Sequence, residues 1–187
     1  MNPAKSSKAL FLDRDGTLIY DRHYLSDPEK VELIPGVAAF LKKALTKGYH
    51  LFLFTNQSGV GRGLFTLEDV HKCHQRMWIL MGLSASCFTE IKIATETPDQ
   101  KPIYRKPSPR FIIEMIKKYK LVAKDCFMIG DSLNDLKAAI NSGVHPLGVK
   151  TGGTFTAETN LFISKYKIPV FEALPDSEES IFYNIKP

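Results

Sequence analysis

Three cysteines in 187 residues, none within two positions of another, leave no Cys-x-x-Cys pair and no disulfide framework. Cys73, Cys87 and Cys126 are expected to be buried reduced thiols, which implies a cytoplasmic setting. No stretch approaches the roughly 18 uninterrupted apolar residues of a membrane span. Met1 to Lys8 lacks the apolar core of a signal peptide and reads as a loose polar tail. There is also no long basic block. The net charge of +5 is met by solvated lysines such as Lys42-Lys43 and Lys117-Lys118 together with a positive phosphate pocket, so a nucleic-acid surface is not required. No internal repeat, low-complexity segment or linker divides the chain, and one domain over residues 1–187 is expected.

What is present is an alternation of strand and helix patterns. Ala9 to Leu12 reads as a short buried strand, and Leu51 to Phe54, Phe88 to Ala94, Cys126 to Ile129 and Pro146 to Val149 as later ones. Between them, Val37, Phe40, Leu41 and Leu45 share a helix face opened by Pro35-Gly36. Thr66 with Asp69 looks like a capped start for a helix carrying Val70, Met77, Leu80 and Met81. Phe111, Ile112, Met115 and Tyr119 mark another, and Leu133 to Asn141 a short one stopped at Gly143. Beyond Thr151 the pattern weakens; Ile163 to Phe171 is read as a strand and Ser177 to Tyr183 as a helix. The alternation predicts an α/β fold in three layers with a mostly parallel sheet.

The polar residues collect where these elements meet. Asp13 and Asp15 stand where the first apolar strand runs into Gly16. A carboxylate at the C-terminal rim of an open α/β sheet can hold Mg²⁺ or attack an electrophile, and an acid two residues on can exchange a proton. Thr55, Asn56 and Gln57 end the second strand, Arg105-Lys106-Pro107 precedes a helix start, and Asp131 and Asp135 follow the fourth strand. Taken singly, each has a plain structural explanation. An Asp-x-Asp can be an acidic turn, Thr55 a strand terminus, Lys106 a surface cation, Asp131 an N-cap and Asp135 a first-turn acid. His23, His71 and His74 are expected in loops or on helix surfaces.

In this order, Asp-x-Asp-x-Thr at Asp13 to Thr17, then Thr55, then Lys106, then Gly130-Asp131 with Asp135, the chain resembles the haloacid dehalogenase (HAD) superfamily of phosphohydrolases. That resemblance implies a Rossmann-like HAD fold with the first strand central and no large cap domain. It also implies a phosphoric monoester hydrolase that works through an aspartyl phosphate. Asp13 would be the nucleophile and Asp15 the general acid and base. Thr55 and the backbone amide of Asn56 would bind phosphoryl oxygens, and Lys106 would neutralise their charge. Mg²⁺ would be held by Asp13, the backbone carbonyl of Asp15 and Asp131, with Asp135 orienting Lys106 or a metal-bound water.

Phe11 to Leu18, Thr55 to Gly63 and Arg105 to Pro107 are similar to the histidinol-phosphatase and heptose-bisphosphatase branch. This implies a small phosphorylated metabolite as partner, a heptose bisphosphate ahead of histidinol phosphate, with Asn56, Gln57, Arg62 and Arg105 on the substrate. The segments Tyr20 to Leu33, Gln57 to Phe65 and Thr95 to Tyr104 would be specificity loops. The branch usually carries a Cys/His zinc loop ahead of the Arg-Lys-Pro segment. Here residues 94–104 contain neither cysteine nor histidine, so no structural zinc is expected. A monomer or weak dimer without membrane contact is expected. Polynucleotide 3′-phosphatases share a similar glycine-rich loop and a Tyr-Arg-Lys-Pro segment, and an aspartyl-phosphate switch module is the non-enzymatic alternative.

Overall fold

A computed structural model describes residues 7–183, so the tail expected at residues 1–8 falls outside it except for Ser7 and Lys8. The chain runs β1 (Ala9–Leu12), α1 (Val37–Thr46), β2 (His50–Asn56), α2 (Ser58–Gly61), α3 (Leu67–Met81), β3 (Glu90–Ala94), α4 (Arg110–Tyr119) and β4 (Cys126–Gly130). It continues through α5 (Leu133–Ser142), β5 (His145–Val149), α6 (Ala157–Tyr166), β6 (Val170–Phe171) and α7 (Glu178–Tyr183). The strands form one parallel sheet in the order β3-β2-β1-β4-β5-β6. This order reverses direction between β1 and β4, and open α/β sheets bind ligands in the crevice at such a switch point.

Period-two alternation divides the strands between two cores. Leu10, Leu12, Leu51 and Leu53 face α1 and α3, packing with Phe40, Leu41, Cys73 and Met77. Phe11, Phe52, Phe54 and Met128 face α4 and α5. On that side Phe11 stacks on Phe52 at 4.7 Å, and Phe111 meets both rings edge-on at 6.2 and 6.1 Å. Two buried layers hold β1 rigidly, and the residue that follows it inherits that rigidity. Among the described residues no helix is long and apolar enough to cross a membrane.

Two expectations need correction. The segment read as a strand from Ile163 begins inside α6, and only Val170–Phe171 pairs with β5. This helix buries Thr159 rather than an apolar stripe, and Leu161 is exposed, so it has no hydrophobic period to read. Its start is marked instead by the reciprocal Thr156–Thr159 cap. His74 is not on the helix surface. It lies four residues after Val70 and three before Met77, on the packed face of α3, and is fully buried while Leu80 is exposed. Burial first, then the charges of Arg14 and His71, push its pKa down to about 3, so it is a neutral core residue.

Candidate active site

Asp13 follows β1 directly, and its N–H donates to the Ile129 carbonyl of β4 (3.0 Å), extending the sheet ladder by one bond. Asp131 follows β4, so the two acids flank the switch-point crevice. Lys106 arrives from the neighbouring loop and is nearly inaccessible. Its Nζ lies 2.7 Å from Asp13 Oδ1 and 2.6 Å from Asp135 Oδ1, and donates to the Phe54 carbonyl at 2.7 Å. Burial alone would favour loss of the proton, but the two carboxylates outweigh it and hold the Lys106 pKa above its ordinary value.

Asp135 is committed to this role. Its other oxygen accepts from the Ser132 N–H (3.0 Å) and hydroxyl, closing the capping box of α5. A side chain on Gly130 would put Cβ 2.2 Å from the Asp135 Cγ, so glycine is required there by the close approach.

Oxygen ligands of Asp13, Asp131 and Asp135 lie within 4.8 Å of one another. Burial pushes Asp13 up to about 7 despite the opposing pull of Lys106. Burial, followed by the charges of Asp13 and Asp135, pushes Asp131 up to about 8. The cluster is therefore short of positive charge. With Asp135 occupied by Lys106 and Ser132, Asp13 and Asp131 remain as hard oxygen donors suited to a divalent cation such as Mg²⁺.

The turn after β5 supplies the wall of this cluster, and nothing in the sequence motifs pointed to it. Thr154 Oγ1 contacts the Asp131 carbonyl and lies 3.1 Å from Asp131 Oδ2, while Thr151 donates to the Gly16 carbonyl. A Cβ on Gly152 would lie 1.8 Å from Asp131 Oδ2, and one on Gly16 at 2.7 Å. These contacts leave the Asp131 carboxylate little room to turn.

Asp15 is held by two partners. Arg14 grips it with Nε (2.9 Å) and Nη2 (3.0 Å), and Gln57 Nε2 donates to its Oδ2 at 2.9 Å. Gln57 Nε2 also donates to Thr55 Oγ1 at 2.9 Å, so the amide expected on substrate instead links the strand end to Asp15. Arg14, buried between two acids in the sequence Asp-Arg-Asp, is a residue that motif reading passed over. The Asn56 side chain likewise faces the protein. Its Oδ1 accepts from the Lys106 N–H (2.9 Å) and its Nδ2 donates to the Lys106 carbonyl (3.2 Å), which fixes the loop carrying the lysine.

Arg62 and Arg105 lie close enough to feel each other's charge. Arg62 donates to the Tyr24 hydroxyl (3.0 Å), and Arg105 Nη1 to the Glu96 carbonyl (3.3 Å). Among the described residues neither guanidinium is ion-paired with a carboxylate. Burial, then the charge of Arg62, lowers the Arg105 pKa below its ordinary value. Two such groups near one another suit an anion. An open cleft of about 260 Å³ is bordered by Asp15, Tyr24, Asn56 and Gln57. A larger cavity of about 600 Å³, between Tyr49, His145, Ile168 and Phe182, lies away from all of these acids.

A family model described as HAD-hydrolase-like matches residues 103–176. The chain is 37% identical over 146 residues to D-glycero-beta-D-manno-heptose-1,7-bisphosphate 7-phosphatase of Helicobacter pylori, covering 74% of this chain and 81% of that protein. It is 36% identical over 159 residues to the enzyme of that name from Haemophilus ducreyi, covering 81% and 87%. Among solved structures, the D,D-heptose 1,7-bisphosphate phosphatase of B. bronchiseptica, complexed with magnesium and phosphate, superposes with a TM-score of 0.81. That pair shares 26% identity over 95% of this chain and 99% of the other.

Proposed function

The chain belongs to the haloacid dehalogenase (HAD)-like family of phosphatases, enzymes that hydrolyse phosphoric monoesters, and from that premise we propose that it removes the 7-phosphoryl group of a heptose 1,7-bisphosphate in a Mg²⁺-dependent reaction. The observation that carries this reading is the convergence of Asp13, Asp131 and Lys106 at one sheet edge.

Asp13 attacks phosphorus in line as the ester oxygen leaves, forming an aspartyl phosphate. Lys106, locked between Asp13 and Asp135, meets the phosphoryl charge without having to reorganise, and the Thr55 hydroxyl and the backbone N–H of Asn56 donate to the phosphoryl oxygens. Asp15 gives its proton to the leaving alkoxide, then takes one from the water that cleaves the acyl phosphate. Arg14 and Gln57 hold the Asp15 carboxylate ready between those two transfers. Mg²⁺ would be held by Asp13, Asp131 and the Asp15 carbonyl, and would offset the repulsion between a carboxylate and a phosphate dianion. Asp15 also weighs against a phospho-switch, since an acid beside the acyl phosphate promotes its hydrolysis. Arg62 and Arg105 would bind the phosphoryl group that is not transferred, which favours a bisphosphate over a monophosphate.

Phosphate release from D-glycero-D-manno-heptose 1,7-bisphosphate, histidinol phosphate and a 3′-phosphorylated oligonucleotide tests the reading. The bisphosphate should have a kcat/KM higher by about tenfold or more, about 1.4 kcal/mol of transition-state discrimination. Preference for either of the others overturns the substrate assignment.

A further inference from the structure

The loop from Glu96 to Arg105 joins the end of β3 to the catalytic lysine, and its middle, Pro98 to Ile103, is exposed. It contains neither cysteine nor histidine, yet its two ends are tied at one atom. Glu96 Oε1 accepts from the backbone N–H groups of Ile103 (3.1 Å), Tyr104 (2.6 Å) and Arg105 (3.1 Å). The bond is reciprocated, because Arg105 Nη1 donates to the Glu96 carbonyl. A second, smaller closure lies inside the first, where the Thr97 N–H donates to Gln100 Oε1 at 2.9 Å. Three amide donors on one carboxylate oxygen form an anion nest built by the chain for its own side chain.

We propose that Glu96 is a positioning residue for substrate selection, stapling the 96–105 loop so that Arg105 is presented to the phosphoryl group that is not transferred. The inference rests on the bisphosphate reading above. Without the staple a ten-residue loop is free to sample many conformations, and Arg105 must be ordered by the substrate at the expense of affinity. The next residue, Lys106, does not depend on the staple, since Asn56, Asp13, Asp135 and Phe54 hold it from other elements. Loss of Glu96 should therefore weaken selection while leaving the chemical step intact.

The test compares wild type, Glu96→Ala and Glu96→Gln, the last keeping an uncharged oxygen acceptor. Kinetics are measured with heptose 1,7-bisphosphate and with heptose 7-phosphate, and hydrogen exchange is followed at the amides of Ile103, Tyr104 and Arg105. Glu96→Ala should raise KM for the bisphosphate by about tenfold, the scale of a lost charge-assisted contact, with kcat within about twofold and the monophosphate unaffected. The three amides should lose protection in Glu96→Ala and keep part of it in Glu96→Gln. Unchanged protection in Glu96→Ala, or an unchanged preference for the bisphosphate, overturns the positioning role. A wild type that does not discriminate between the two sugars overturns the bisphosphate reading, and with it the selection role, even if the amides behave as expected.

Discussion

Lys106→Met removes the one cation that Asp13 and Asp135 share while roughly preserving side-chain length. Both carboxylates are then left buried, with their nearest positive charge gone from 2.7 and 2.6 Å. Breaking a buried ion pair by deleting one partner costs about 3–5 kcal/mol. Protonation of Asp13, already pushed up to about 7, relieves some of this, so the loss should be largest above that pH. Activity should fall by about 10²–10³-fold or more, the range for removing one preorganised electrostatic contact to a developing charge. Denaturant unfolding and phosphate release, run on Lys106→Met, Asp135→Asn and the double variant, separate the two effects. The double variant should recover stability relative to Lys106→Met, because one of the stranded charges is gone, yet recover no activity. If Lys106→Met keeps its stability within about 1 kcal/mol and its rate within about twofold, the lysine is neither a structural nor an electrostatic centre and the reasoning fails.

Three further predictions concern the surroundings. Thr154→Val should weaken Mg²⁺ affinity by about tenfold, as loss of a contact behind a metal ligand does. Calorimetric titration with Mg²⁺ checks this, and Thr154→Ser should restore the wild-type value. Arg14→Met should lower kcat by part of the about 10²–10⁴-fold that acid-base catalysis contributes, with KM little changed. Arg14→Lys should not rescue it, because a single ammonium cannot make both the 2.9 and 3.0 Å contacts of the guanidinium fork. Finally, Asp13 and Asp131 bind protons more tightly folded than unfolded, so the metal-free protein should become more stable as pH falls from 8 to 6.5, by about 2 kcal/mol. Below 6.5 the neutral, buried His74 acts in the opposite direction and offsets about half of what the two carboxyls contribute, so stability should go on rising with roughly one net proton rather than two. Saturating Mg²⁺ should abolish the carboxylates' gain, since it holds them ionised; unfolding curves at pH 8, 7, 6.5 and 5.5 measure all of this.

Much of the arrangement was legible because strand and helix periods are strong wherever two faces are buried. Ala9–Leu12, Thr66 with Asp69, and the helix at Leu133 could all be read directly. So could the gathering of Asp13, Thr55, Lys106 and Asp131, because a parallel sheet sends every strand end to one edge. The rest depended on contacts without sequence spacing. Gln57 looks like a substrate ligand until its amide is found on Asp15, and Thr154 stands far along the chain from the Asp131 it restrains. Glu96 sits among loop residues, and its role appears only once three amides from the far end of the loop fold back onto it. His74 was legible in principle, since its spacing from Val70 and Met77 already placed it on the packed face.

The most direct test of the account is to trap the covalent intermediate. The protein with Mg²⁺ is mixed with heptose 1,7-bisphosphate labelled at the 7-phosphoryl group, quenched in acid within one turnover, reduced with borohydride and mapped by peptide mass. The account predicts an acid-stable label on the protein and conversion of Asp13, alone among the acids, to homoserine. Efficient single-turnover hydrolysis with no label, or a label at another residue, contradicts it.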